Sequence, residues 1–155
     1  MKWKLPPKIK IYEALGTLAG GRIEMVGDAA KVYSSSDNKF YTVTFDPSTS
    51  SIMANDNGSF WQGYLGYPAI AYLMQMGVIT YNEKYSEALK GIAWKDVNAK
   101  FKNDFDKTIN YVHELLNERG VDLREFESEI ENIFEQIKKL DLSFLSLKTK
   151  PPKGY

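Results

Sequence analysis

The segment from Ile52 to Gly77 constrains the fold of this chain more than any other. It holds four glycines, five aromatic residues and one proline, between strand-like sequence and a short helical pattern. Such a segment is too apolar for an ordinary exposed loop and too often interrupted for one continuous helix. We therefore expect an irregular, partly buried connector that joins a sheet to a helix.

The sequence before this connector predicts a short helix followed by strands. Pro6-Pro7 is typical of a helix start, and Gly20-Gly21 supplies a stop. Gly27-Asp28 suits the tight turn of a hairpin, and the segments around it are rich in β-branched and aromatic residues. The strand candidates are residues 22–26, 30–35, 39–46 and 51–55.

The sequence after the connector changes to a helical period. Pro68 and Gly77 bracket one short helix, and Asn82 caps another that ends at Gly91. Apolar residues at helical spacing then predict a long helix from residue 95 to 120 and a last helix from 122 to 140. Strands followed by helices favour an α+β fold, an antiparallel β-meander of three to five strands packed against C-terminal α-helices.

Length and charge set the organisation of the chain. At 155 residues we expect one domain over residues 1–146, followed by a flexible basic tail over 147–155. The formal net charge is zero, so no global field attracts nucleic acid or anionic lipid. No segment resembles a signal peptide or a comfortable membrane span, and cysteine is absent, so we expect a cytoplasmic protein without disulfides and without a membrane partner.

The sequence predicts no catalytic residues, no metal ligands and no cofactor. His113 is the only histidine and has no nucleophile motif beside it, so we interpret it as structural or exposed. Asp104 and Asp106 lie two residues apart on the predicted helix, where their side chains diverge. The cluster at residues 55–58, Asn-Asp-Asn-Gly, offers oxygen ligands, but turn formation explains it more simply.

The aromatic residues of the connector are the candidate binding site. They recur at short intervals, and two lysines lie on nearby predicted strands. Exposed aromatic rings beside basic residues stack on bases or anchor a protein partner, whereas buried ones fill the space between sheet and helices. The sequence leaves open whether these rings are core or surface. The candidate binding residues are Phe60, Trp61, Tyr64, Tyr67, Lys31 and Lys39.

Residues 32–74 resemble the SWIM domain, a compact ββα zinc module. The resemblance is carried by Val-Tyr-Ser-Ser-Ser at 32–36, Phe-Tyr-Thr-Val at 40–43, Ile-Met-Ala-Asn-Asp at 52–56 and Gly-Tyr-Pro-Ala-Ile-Ala-Tyr-Leu-Met at 66–74. The zinc ligands of that family, Cys-x-Cys and Cys-x-His, align with Ile52, Ala54, Ala69 and Ala71. The resemblance therefore implies an interaction module in which apolar packing replaces the metal. The chain as a whole also resembles uncharacterised archaeal proteins.

We therefore expect a non-enzymatic interaction module that binds protein or nucleic acid. The first alternative is an enzyme acting on a small molecule in a pocket between the connector, residues 52–67, and the helices. The second alternative is a homo-oligomeric structural protein, a homodimer joined through the last helix.

Overall fold

The computed structural model describes residues 1–36 and 38–153, which form a five-stranded sheet and a set of helices. The α+β class predicted from the sequence is confirmed. The strands are β1 (Ile23–Val26), β2 (Ala29–Tyr33), β3 (Phe40–Asp46), β4 (Ser51–Ala54) and β5 (Ser143–Phe144). The helices are α1 (Ile9–Ala19), α2 (Tyr67–Gln75), α3 (Glu83–Ala88), α4 (Trp94–Lys100), α5 (Phe105–Glu118) and α6 (Leu123–Leu140), with a π-helical turn at Gly58–Gln62.

The sheet follows chain order, β1-β2-β3-β4-β5. The first four strands pair antiparallel, as the meander predicts, with Val32 opposite Tyr41 and Val43 opposite Ala54. The short β5 pairs parallel with β4 and comes from the far end of the chain. Alternating residues of β2 and β3 are buried, because one face of the sheet carries the helices.

Helix α1 separates the sheet layer from the C-terminal helices. Helix α2 lies on strands β2, β3 and β4, and α1 packs against α2 and α3. Helices α5 and α6 contact α1 from another side. All residues of α1 from Ile11 to Thr17 are buried, so this helix is enclosed by its neighbours rather than amphipathic.

The four positions that align with SWIM zinc ligands lie in the hydrophobic core. Each of these side chains is at most 2% exposed. Strand β4 contributes two of them and α2 the other two, so apolar packing joins these elements directly. The four are Ile52, Ala54, Ala69 and Ala71.

The long helix predicted from residue 95 to 120 is wrong, because the structure divides it into α4 and α5. Lys102 and Asn103 between them have positive φ angles of 53° and 61°. Helix α5 then begins after its N-cap, Asp104, whose side chain accepts a hydrogen bond from the Lys107 amide at 3.3 Å. A left-handed conformation interrupts a right-handed helix, and the capping aspartate begins the next one.

The predicted tail begins after β5. Leu147 is 91% exposed. The Lys148 ammonium lies 5.9 Å from the centroid of the Phe60 ring. The last two residues of the tail, 154 and 155, lie outside the described residues. In the described part of the chain, no helix has the length and apolar character needed to cross a membrane.

Gly66 shows why the connector needs glycine. A Cβ atom added there would overlap the Asp56 carboxylate. The backbone at Gly66 has φ −80° and is unstrained, so the close approach alone requires the missing side chain.

We expect Gly66→Ala to lower the free energy of unfolding by about 2–4 kcal/mol, because the new methyl group displaces a buried, hydrogen-bonded carboxyl group. Gly77→Ala is the control, since Gly77 has φ +77° and open space around its Cα. That change adds backbone strain of about 1–2 kcal/mol and no clash. Urea unfolding measures both, and an equal loss in the two variants would contradict this account.

Candidate functional site

A cavity of about 730 Å³ opens between α1, the connector and α4. Its size is that of a small-molecule site, and its wall is polar as well as aromatic. The walls come from parts of the chain that are distant in sequence. The lining residues used below are Lys10, Glu13, Tyr41, Asp56, Gly58, Trp61, Tyr64, Tyr67, Trp94, Asn98, Ala99 and Phe105.

Helix α1 brings two opposite charges to the cavity. Lys10 and Glu13 lie three residues apart, on the same side of the helix, and the Lys10 Nζ is 2.9 Å from the Glu13 Oε2. Their side chains are only 14% and 4% exposed. Removing an ion pair from water is unfavourable unless it is well partnered, so its presence on the most buried helix calls for a further partner.

Helix α4 supplies that partner. The Asn98 Nδ2 donates a hydrogen bond of 2.8 Å to the Glu13 Oε1, while the Glu13 Oε2 is in ion-pair contact with Lys10. Within the described residues, the buried Asn98 Oδ1 and Trp94 Nε1 have no hydrogen-bond partner. Such unsatisfied atoms are uncommon in folded proteins, and here both belong to one wall of the cavity.

The connector supplies a buried acid, Asp56. The Ser59 hydroxyl donates to its Oδ1 at 2.5 Å, and the Ser59 amide donates to its Oδ2 at 3.2 Å. Burial raises the pKa of Asp56, while the bonds from Ser59 and the charge of Lys10 oppose that rise. Asp56 therefore fixes the first turn of the connector and also adds a proton-binding group to the cavity wall.

Tyr64 packs over Gly58, where a Cβ atom would lie 2.5 Å from the tyrosine Cε1. Burial raises the pKa of Tyr64, so its hydroxyl stays neutral at physiological pH. This hydroxyl forms no hydrogen bond with any other residue that the structure describes. It is therefore available as a donor to a molecule in the cavity.

The ionisable groups of the cavity act on one another. Burial by itself lowers the pKa of Lys10, but attraction to Glu13, Tyr64 and Asp56 more than offsets it, and the pKa is raised. Lys10 therefore stays cationic, so it does not supply the neutral amine that a lysine nucleophile requires. It is a fixed positive charge inside a pocket.

Half of the predicted binding residues line the cavity. Trp61, Tyr64 and Tyr67 do so, and Trp61 is 64% exposed. Phe60 is half-buried and meets Trp61 edge-on at 4.7 Å between ring centroids. The two lysines stack on the sheet instead, with the Lys31 Nζ 4.7 Å from the Phe40 ring and the Lys39 Nζ 5.3 Å from the Tyr41 ring.

Sequence reasoning missed Lys10, Glu13 and the polar side of α4. One signal was present: Lys10 and Glu13 interrupt an otherwise apolar run in a helix with no polar face. Asp56 drew attention only as part of a turn. Nothing in the sequence indicates that residues near 13 and 98 meet.

A second polar cluster joins α1 to α5 and α6. The Tyr12 hydroxyl lies 2.8 Å from the His113 Nε2, and the His113 Nδ1 lies 3.6 Å from a Glu127 carboxylate oxygen. Burial lowers the pKa of His113, against the attraction of Glu127, and burial also raises the pKa of Tyr12. The imidazole therefore favours its neutral form and shares a hydrogen bond with Tyr12 between the helices. Residues 1–36 and 38–153 contain no cluster of three or more His, Asp or Glu side chains able to hold a metal ion.

A family profile described as "Uncharacterised conserved protein UCP014422" matches residues 3–143. The chain belongs to this family. The match includes α1, the connector and α4, so every wall of the cavity lies within the family region. No curated protein and no solved structure matches the chain.

The His113 cluster predicts how stability depends on pH. Because the folded state holds the imidazole neutral, the unfolded chain, with a histidine pKa of about 6.5, binds the proton more readily. We expect stability to fall as pH drops below about 6.5 and through the lower pKa of the folded state. His113→Gln keeps a hydrogen-bond acceptor without this titration, so its urea midpoint should change less between pH 7.5 and pH 5.5. Identical pH dependence in both proteins would exclude His113 as the cause.

Proposed function

We propose that the cavity between α1, the connector and α4 binds a small molecule. The observation that supports this most is that two partly exposed donors, Lys10 and Tyr64, share one cavity wall with two buried acids, Glu13 and Asp56. Three groups with shifted pKa values, Lys10, Asp56 and Tyr64, inside one concavity are typical of binding and catalytic sites.

The fold itself gains little from this arrangement. A buried ion pair is often no more stabilising than well-packed apolar side chains of similar volume. A cavity of this size also forgoes packing that neighbouring side chains could provide. A ligand that completes the contacts is the simplest reason for a chain to keep both.

An enzyme acting on that molecule is included in this proposal. A carboxyl group with a raised pKa, such as Asp56, suits proton transfer to or from a bound group. Lys10 would then stabilise negative charge that develops next to it.

The second candidate function is an interaction module for protein or nucleic acid. Its support is the Trp61 ring, which is 64% exposed beside Phe60 at the mouth of the cavity. Exposed tryptophan is enriched at the energetic centres of protein interfaces and also stacks on bases.

We also make four narrower proposals. A SWIM-like interaction role for residues 32–74 is supported only by the order of strands and helix, and the expected archaeal source only by the sequence resemblance. A cytoplasmic location is supported by the absence of cysteine. A homodimer through α6 has less support, because the apolar stripe of that helix is buried within its own chain.

A cavity-filling variant tests the small-molecule function. Ala99 is exposed on α4 and lines the cavity, so Ala99→Trp places an indole in it. We expect a library screened by thermal shift to contain compounds that raise the melting temperature of the natural protein by about 5–10 °C at 100 times their Kd. Ala99→Trp should abolish these shifts.

The matched control is Ser128→Trp, which puts the same ring on the exposed face of α6. This variant should keep every shift. A screen in which Ala99→Trp responds to the same compounds as the control, by the same amounts, would exclude the cavity as the binding site.

Truncation of Trp61 tests the second candidate. Because the ring is exposed, we expect Trp61→Ala to change the melting temperature by no more than about 3 °C. Trp94→Ala, which removes a ring that is 4% exposed, should lose about 3–5 kcal/mol. Fluorescence anisotropy with a labelled single-stranded oligonucleotide then measures binding. If Trp61→Ala abolishes oligonucleotide binding, the result favours the interaction module. If Trp61→Ala loses as much stability as Trp94→Ala, the result contradicts a contact role for Trp61.

A further inference from the structure

We propose that the ligand of this cavity is a planar aromatic carboxylate. Lys10 and Tyr64 hold its carboxylate, and the aromatic side chains of the lining contact its ring. The inference rests on the proposed small-molecule function and names the chemical class of the ligand.

Among the four ionisable groups discussed above, the donors are more exposed than the acids. Lys10 retains 14% side-chain exposure, whereas its partner Glu13 retains 4%. Asp56 is likewise 4% exposed, and its carboxylate accepts from Ser59, whereas Tyr64 is half-buried. The two acids line the cavity but are almost fully buried and already partnered, so the ammonium of Lys10 and the hydroxyl of Tyr64 are the more accessible groups. An acceptor-rich, anionic group complements these two donors.

Both donors have capacity left for a ligand. An ammonium group has three N–H donors. One of them faces the Glu13 carboxylate in the ion pair. The Lys10 Nζ also lies 5.1 Å from the centroid of the Phe105 ring, and this cation–π contact does not use an N–H donor in a conventional hydrogen bond. The Tyr64 hydroxyl forms no hydrogen bond with a described residue. Lys10 and Tyr64 both line this one cavity, and each affects the pKa of the other, so a single oxyanion in the cavity is the group we expect to contact both.

The neighbouring acids limit the charge of the ligand. Lys10 already shares its charge with Glu13 at 2.9 Å, and Asp56 is near enough to act on it as well. A second full negative charge, as on a phosphate monoester, would meet repulsion from both carboxyl groups. Arg22 and Lys95 also line the cavity, so this repulsion is local to Lys10. At that position a monoanion gains the attraction of the ammonium with less repulsion, which favours a carboxylate over a phosphate there.

The aromatic part of the cavity lining suits a flat ring. Tyr41 and Tyr67 meet edge-on with ring centroids 6.2 Å apart, and both line the cavity. Trp61 adds an exposed indole to the same lining. Aromatic rings bind other rings by stacked and edge-on contacts, and a cavity of about 730 Å³ admits an acid of one or two rings.

Isothermal titration calorimetry with four matched probes tests the proposal. They are 2-naphthoate, its neutral amide 2-naphthamide, the dianion 2-naphthyl phosphate and the non-aromatic cyclohexanecarboxylate. We expect 2-naphthoate to bind the natural protein at least about tenfold more tightly than the other three, because the amide loses the charge-assisted contact, the phosphate meets repulsion from the acids and the cyclohexane ring loses the aromatic contacts.

Two variants locate the carboxylate. Tyr64→Phe removes only a hydroxyl without a described partner, so it should fold normally and weaken 2-naphthoate by about fivefold to tenfold. Tyr81→Phe, outside the cavity, is the matched control and should bind unchanged. Lys10→Met/Glu13→Met removes both charges of the buried pair, and circular dichroism verifies its fold. The selectivity for 2-naphthoate over the amide should disappear in this double variant.

The outcomes separate this inference from the proposed function. The carboxylate assignment is overturned if the amide binds as tightly as 2-naphthoate, or if the phosphate binds more tightly. If Ala99→Trp abolishes that binding, the cavity is still a ligand site. Unchanged affinity of Tyr64→Phe for 2-naphthoate also overturns the assignment. No binding of any probe overturns it as well, and the library screen of Ala99→Trp then decides the proposed function independently.

Discussion

The burial of helix α1 is the constraint on which the other elements depend. Its residues from Ile11 to Thr17 are enclosed by α2 and α3 on one side and by α5 and α6 on another. A helix with no exposed face cannot keep a polar side chain without a partner for it. The partners of Glu13 and Tyr12 therefore come from other elements, and Asn98 and His113 tie those elements to the central helix.

The fold class could be predicted because local chemistry agrees with the final structure along most of the chain. Gly27 has the positive φ angle that a hairpin turn favours, and the buried apolar residues of α6 recur at helical spacing. The break between α4 and α5 had only a weak local signal, since asparagine favours the left-handed backbone that Asn103 adopts, but the lysine before it has no such preference. The pairing of β5 with β4 joins residues about ninety positions apart, and no local rule predicts it.

The candidate site was predicted only where it lies within the connector. Trp61, Tyr64 and Tyr67 were conspicuous because a turn does not need aromatic rings. Lys10 and Glu13 looked like ordinary helix charges, whose burial is decided by elements that arrive later in the chain. The aromatic rings of the connector are neither all core nor all surface, because Trp61 is exposed while Tyr64 is half-buried against Gly58.

The cavity is assembled from segments near residues 10, 56 and 98, each separated by about forty positions. None of these segments can form the cavity alone, so it exists only after the non-local contacts of the sheet and of α1 are complete. Contacts of this kind form slowly, because loop closure must precede them. The unfolded chain consequently has no version of the site, and any occupant stabilises the whole fold rather than one loop of it.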